Sequence, residues 1–425
     1  MSANNQFALA RYNEDGSLDT TFSSDGKVKS NFSSSTDEVV NAMAIDSKGR
    51  IVAAGYATVG GKQRFALARY KKDGSLDTSF STSGKLTTDF TSSANEAATA
   101  LAIDSNHRIV VGGFANIIGT GATPQFALAR YNEDGSLDTS FSTDGMLVTD
   151  FTSYTSESIS ALAIDSQGRI VVAGYAGVPE GTGSSYKFAL ARYKDNGDLD
   201  NTFAGNGKLT TDFPADPVDG KKFAQANAIA IDSKGRIVVA GRSGSFGESF
   251  ALARYKENGD LDSAFAGNGK LVTDFAGANI TQSSVRSVTI DSKGRIVAAG
   301  YAVVNSGGFS GQFALARYHS DGSLDNTFAS NGKLITDFTS TTGESVNAMS
   351  IDKKDRIVVA GSGYSGAAGG YEFVLARYKE NGDLDSSFSH DGKLGTDFTS
   401  SLNEEANAIA IDSNSKILVA GRAAA

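Results

Sequence analysis

Five glutamates recur at one position of this chain. Glu38, Glu96, Glu157, Glu344 and Glu404 each stand seven residues before the isoleucine of an Ile-Asp pair. Carboxylates repeated in one register converge only if the segments that carry them surround a common centre. There they would form a partial axial rim, able to hold Ca2+ or a polar ligand, or simply a solvated acidic edge. Ala224 and Ser283 occupy the position in the two remaining copies. Three residues further on runs a column of Asn41, Thr99, Ser160, Asn227, Asn347 and Asn407, and in that column Arg286 is the one charged member. Cleavage of a sugar chain by paired carboxylates needs two acids whose pKa values are pushed apart. Five equivalent glutamates offer such asymmetry only beside Arg286.

A second set of side chains suits recognition. Tyr186, Phe246, Phe309, Tyr364 and Tyr371 stand in stretches rich in Gly and Ser, and so do Phe114 and Phe223. Rigid aromatics among small polar residues resemble binding loops for glycan or protein, although they could equally fold back as lids. His107, His319 and His390 are the only histidines, scattered over predicted turns, and make neither a zinc site nor a Ser-His-Asp triad. Asn13 to Asp19 faintly resembles a calcium loop but lacks the distal Glu, so it reads as a plain turn. Arg11, Arg69, Arg130, Arg192, Arg254, Arg317 and Arg377 are each followed eight residues later by an Asp, which predicts a structural ion pair repeated through the molecule.

The elements that must position these residues repeat seven times at a period near 60. Within residues 97 to 151, Ala98 to Asp104 alternates small and large, the period of a strand. A tight turn leads to Ile109–Phe114, a Gly-rich loop to Phe126–Tyr131, and an Asp-Gly turn to a fourth strand at Leu147–Phe151. Each four-stranded sheet then has one bulky and one alanine face, and stacking the two kinds fills space. The chain starts at a third strand and ends at a second. The predicted fold is therefore all-β: a single seven-bladed β-propeller over 1–425, closed by pairing the N-terminal half-blade (1–32) with the C-terminal one (406–425). Length varies chiefly in two loops, between second and third strands and before the first strand. Both emerge on one face, where function is expected.

The run Ile-Asp-Ser-x-Gly-Arg-Ile-Val-Val-Ala-Gly, then Phe-Ala-Leu-Ala-Arg-Tyr-x-x-Asp-Gly-Ser-Leu-Asp, then Gly-Lys-Leu-x-Thr-Asp-Phe resembles the bacterial delta-60 repeat over the whole chain. The resemblance implies a propeller-type repeat of large, often exported bacterial proteins, and it brings no catalytic residues. Composition narrows the rest. With 39 Lys and Arg against 48 Asp and Glu, the net charge is −9, which disfavours a nucleic-acid partner. No apolar run approaches a membrane span, no signal peptide is read at the N-terminus, and without cysteine there are neither disulfides nor thiolate metal sites. The expected function is a non-catalytic binding or display scaffold, not an enzyme, outside the cell or at its surface. It would recognise glycan or protein through the variable face, as a monomer or a stacked assembly. A purely structural module is the alternative, and an enzyme using the axial carboxylates comes last. No cofactor is expected beyond possible Ca2+.

Overall fold

A computed structural model describes residues 4–32, 37–90, 95–117, 123–151, 156–180, 183–216, 220, 222–244, 248–275, 280–305, 309–338, 343–365, 370–398 and 403–425. Seven antiparallel four-stranded sheets form a closed ring. In the second blade the strands run from the axis outwards as Glu38–Ile45, Ile51–Val59, Lys62–Tyr70 and Lys85–Thr88. Inner strands of the other blades are Glu96–Ile103, Glu157–Ile164, Ala224–Ile231, Ile280–Ile290, Ser345–Ile351 and Glu405–Ile411. The first blade is made from both ends of the chain. Asn5–Tyr12 pairs with Lys27–Ser30 on one side and with Ile417–Ala424 on the other, in register from Asn5 opposite Ala424 to Tyr12 opposite Ile417.

The alternation of the strands becomes packing between blades. Phe65, Leu67 and Phe80 of the second blade lie against Ala98, Ala127 and Ala129 of the third, all buried. The same bulky-on-alanine layer recurs round the ring. Each third strand ends in a buried tyrosine. In six junctions its hydroxyl meets a threonine of the preceding blade's outer strand, as in Tyr131 and Thr88 at 2.6 Å or Tyr255 and Thr211 at 2.7 Å. At the seventh junction Tyr70 faces Ser30.

The predicted Arg–Asp pairs are present in every blade. Arg69 Nε lies 2.8 Å from Asp77, and Arg192 Nε 2.8 Å from Asp200, with both members almost wholly buried. Each guanidinium also caps a phenylalanine ring at 4.7–5.0 Å. It reaches the main-chain carbonyl of the next blade's turn as well, for example Arg130 to Asp195 O at 2.5 Å. The Asn13–Asp19 segment is a turn: the Asp15 carboxylate accepts the Ser17 amide at 3.0 Å and its hydroxyl at 2.6 Å. The outer strand is shorter than its pattern suggests. In the third blade it stops at Thr149, because the Phe151 amide bonds the Glu157 carboxylate instead of continuing the ladder.

Candidate functional site

One glycine per blade organises the axis. Gly55, Gly113, Gly174, Gly241, Gly300, Gly361 and Gly421 sit in the second strands, where a Cβ would fall 1.8–2.0 Å from a main-chain oxygen of the inner strand. Only glycine admits that approach. Opposite each of these seven glycines the inner strand carries one extra residue, as between Val40 and Ala42 or between Val285 and Ser287. The bulged residues are the Asn/Thr/Ser column with Arg286. Five of them tie their blade to the next. Asn41 donates to Ala98 O at 2.8 Å, Thr99 to Ile159 O at 2.5 Å, Asn227 to Val285 O at 2.7 Å, Asn347 to Ala406 O at 3.0 Å and Asn407 to Val40 O at 3.0 Å.

The residue after each glycine lies beside the start of an inner strand, at the mouth of the ring on the variable face. The seven are Tyr56, Phe114, Tyr175, Arg242, Tyr301, Ser362 and Arg422, all half-buried. Sequence reasoning missed this collar. The signal was present as the position following Ala-Gly or Gly-Gly in every repeat. Four aromatics and two arginines there stand out against a background of small residues.

A cavity of about 450 Å³ opens across the sixth, seventh and first blades of this mouth. Tyr301, Tyr371, Ser345, Ser362, Glu405 and Arg422 line it. Glu405 and Arg422 pair at 3.1 Å with each side chain about a third exposed, and Asn347 donates to Glu405 at 3.1 Å. The Tyr371 carbonyl accepts the Glu404 amide at 2.9 Å, which anchors its strand to the next blade. Its hydroxyl lies where a side chain on Gly343 would be, and Gly343 has a φ of +94°, so glycine is required there twice over. The Arg286 guanidinium lies 5.5 Å over the Tyr301 ring, with the side chain exposed. Nearby, burial and then the Asp37 carboxylate push the Tyr56 hydroxyl up to about 12.

The sequence-predicted site residues divide accordingly. Tyr371 lines this cavity, and Arg286 lies beside it, over the Tyr301 ring that also lines it. Tyr364 packs edge-on against Tyr371 at 5.7 Å. Tyr186 lies away from it, stacked edge-on between Tyr175 at 5.3 Å and Phe223 at 5.6 Å. Phe246 lies outside the described residues, as does the side chain of Phe309. The axial carboxylate rim is corrected. Glu38, Glu96, Glu157, Glu344 and Glu404 are no more than 2 % exposed. Each accepts the backbone amide of the phenylalanine six residues earlier, for instance Phe32 at 2.7 Å and Phe398 at 2.9 Å. They fold the chain into the inner strand and do not present an open acidic edge. No group of three or more metal-ligating side chains occurs among the described residues.

Residues 2–22, 49–80, 105–141, 166–203, 235–265, 294–328 and 355–388 match a family described as a domain of unknown function (DUF5122) beta-propeller. The chain belongs to this β-propeller family. No curated protein matches the chain. Among solved structures it is similar to an ulvan lyase from a new family of polysaccharide lyases. The bound form has a TM-score of 0.51 at 11 % identity, covering 86 % of this chain and 84 % of that one. A second structure of the lyase gives a TM-score of 0.50 at 10 % identity over the same shares. A protein of unknown function from Dyadobacter fermentans has a TM-score of 0.48 at 11 % identity, covering 91 % of this chain and 95 % of that one. These likenesses concern the fold. The two lyase structures overturn the expectation of a non-catalytic binding or display scaffold: it rested on the lack of a clustered nucleophile, base or metal-ligand set in the sequence, and the same fold carries polysaccharide lyases.

Proposed function

We propose that this propeller cleaves a polysaccharide, taking the chain into the mouth cavity between its sixth, seventh and first blades. The observation that carries the reading is the meeting of Tyr301, Tyr371 and the Glu405–Arg422 pair in one open cavity on the variable face. Flat phenol rings bury the apolar face of a sugar, while their hydroxyls and the ion pair can bond its oxygens. A phenol can then give its proton to the leaving glycosidic oxygen as the C–O bond breaks, while Glu405, oriented by Arg422 and Asn347, takes the proton released by the attacking water or by the sugar carbon from which an unsaturated product forms. The paired-carboxylate route has no second acid in hand: Glu344 and Glu404, which border the cavity, are occupied by the amides of Phe338 and Phe398. The fold is one that hosts polysaccharide lyases, which is consistent with this use of the ring. On this reading the activity belongs outside the cell or at its surface, in keeping with the resemblance to the delta-60 repeat.

The test is incubation of the purified ring with neutral and acidic polysaccharides, reading newly formed reducing ends and unsaturated products. Tyr301→Phe and Tyr371→Phe keep the rings and remove the hydroxyls. A proton-transferring phenol lost in this way should lower the rate by roughly 10²-fold or more. No depolymerisation of any polymer, or full activity in both variants, would sink the reading.

A further inference from the structure

We infer that the chain bound at this mouth is an anionic polysaccharide, and that Arg286 is the residue that reads its carboxylate or sulfate. This rests on the reading of the cavity as a glycan site. The ring breaks its own pattern at this point. At the bulge of the inner strand, five of seven blades use a short polar side chain to bond the next blade's main chain. The sixth blade puts Arg286 there instead. The Asn227 amide of the fifth blade still reaches Val285 O, so the sixth blade receives a staple without giving one. No ion pair binds Arg286 among the described residues; its guanidinium lies 5.5 Å over the Tyr301 ring.

An exposed arginine set over a tyrosine that lines the cavity is a fixed positive charge at the site. Guanidinium presents a planar fork matched to carboxylate and sulfate oxygens, and the ring beneath holds it in place. The setting strengthens the inference. The protein as a whole carries a net charge of −9. Its surface therefore repels an acidic polymer in general, and binding must come from a local reversal of sign. Arg422 adds no free charge, because Glu405 neutralises it at 3.1 Å. Arg286 is the cation left to face an acidic group on the substrate.

The same break supplies a clean variant. Arg286→Asn installs the residue that four other blades carry, so the staple to the seventh blade is restored and folding is not put at risk. Calorimetric titration would compare polygalacturonate, dextran sulfate and neutral dextran against the wild type, Arg286→Asn and Arg286→Lys. The wild type should bind one or both charged polymers, more weakly as salt rises, and dextran weakly or not at all. Preference between the two charged polymers tells carboxylate from sulfate. Arg286→Asn should lose on the order of tenfold or more in affinity for the charged polymer, the size of one charged hydrogen bond. Its melting temperature should equal or exceed that of the wild type, and Arg286→Lys should recover part of the affinity. Equal binding of dextran and the charged polymers, or unchanged binding by Arg286→Asn, would overturn the inference while leaving depolymerisation to judge the site. Binding to none of the three would overturn both.

Discussion

At the residue scale, the same side chain type means different things in different surroundings. The glutamate column was visible in the repeat, but its use was not. A glutamate that accepts a main-chain amide six residues earlier looks, in one dimension, the same as one that faces solvent. The position of Phe151 relative to Glu157 decides between them. Glu157→Ala should therefore destabilise the ring by about 1–3 kcal/mol, because it leaves a buried amide without its acceptor. Urea unfolding would measure it, and a neutral result would argue that the carboxylate is dispensable. The collar tyrosines were legible as a column and went unread, since three of them resemble ordinary strand residues. Tyr301 gains its meaning from Arg286 and Arg422, which are 15 residues upstream and 121 downstream in the chain.

At the element scale, the bulge and its glycine act as one device. The extra residue turns a short polar side chain toward the neighbouring inner strand, and the glycine opposite makes room for the displaced main chain. Gly300→Ala would place a methyl 1.9 Å from Ser284 O. The main chain on both sides is fixed by ladder bonds, so the bulge must flatten and Arg286 must move. A loss of at least about 3 kcal/mol is expected by equilibrium unfolding. A change below about 1 kcal/mol would show that the bulge relaxes freely. The Arg–Asp pairs behave differently from surface ion pairs. Burial pushes the Asp19 carboxyl up, but hydrogen bonds from Thr21 and Lys416 and the charge of Arg11 outweigh it and hold it at about 2. A carboxylate lowered in this way contributes stability that is present above its ordinary pKa and lost as pH falls towards 2. The Arg11–Asp19 pair should therefore persist through mild acid.

At the scale of the whole molecule, the seven junctions are not equivalent. On the face opposite the mouth, the turn after the inner strand usually sends an arginine to an acid of the next blade. Arg50 meets Glu133 at 2.7 Å, Arg169 meets Glu257 at 2.7 Å, Arg295 meets Glu380 at 2.9 Å, Arg356 meets Glu14 at 2.7 Å, and Arg108 meets Asp195. Between the first and second blades the two positions hold Lys416 and Lys72, and a cavity of about 580 Å³ lies there. Lys72→Glu should complete the clamp and stabilise the ring by up to about 1 kcal/mol, less at high salt. An unchanged or lower melting temperature would show that the junction already has another partner. The buried tyrosines make a second prediction. Burial raises all seven of those that end the third strands well above the usual value of 10.0. The unfolded chain loses its phenolic protons first, so the stability these hydroxyls contribute is complete below pH 10 and falls as pH rises beyond it. Unfolding followed by circular dichroism should therefore begin above pH 10 and run cooperatively, with phenolate absorbance appearing together with loss of structure. Phenolate absorbance well before unfolding would contradict the burial.

What the sequence by itself determined is the repeat. Seven copies of one hydrophobic alternation settle the strands, the bulky and alanine faces and the number of blades, because each is a local consequence of side-chain period and size. The Arg–Asp pairs belong with them, since eight residues of chain and a strand end are enough to bring them together. Even the closure was implied by the two half-blades at the ends. Only the tertiary structure decided which polar residues face the axis, which are buried, and which share a cavity. Those facts depend on a bulge that shifts the inner strand by one residue and on contacts across three blades that bring together residues as far apart as Tyr301 and Arg422. A column of identical residues cannot reveal that difference; the curvature of the ring creates it.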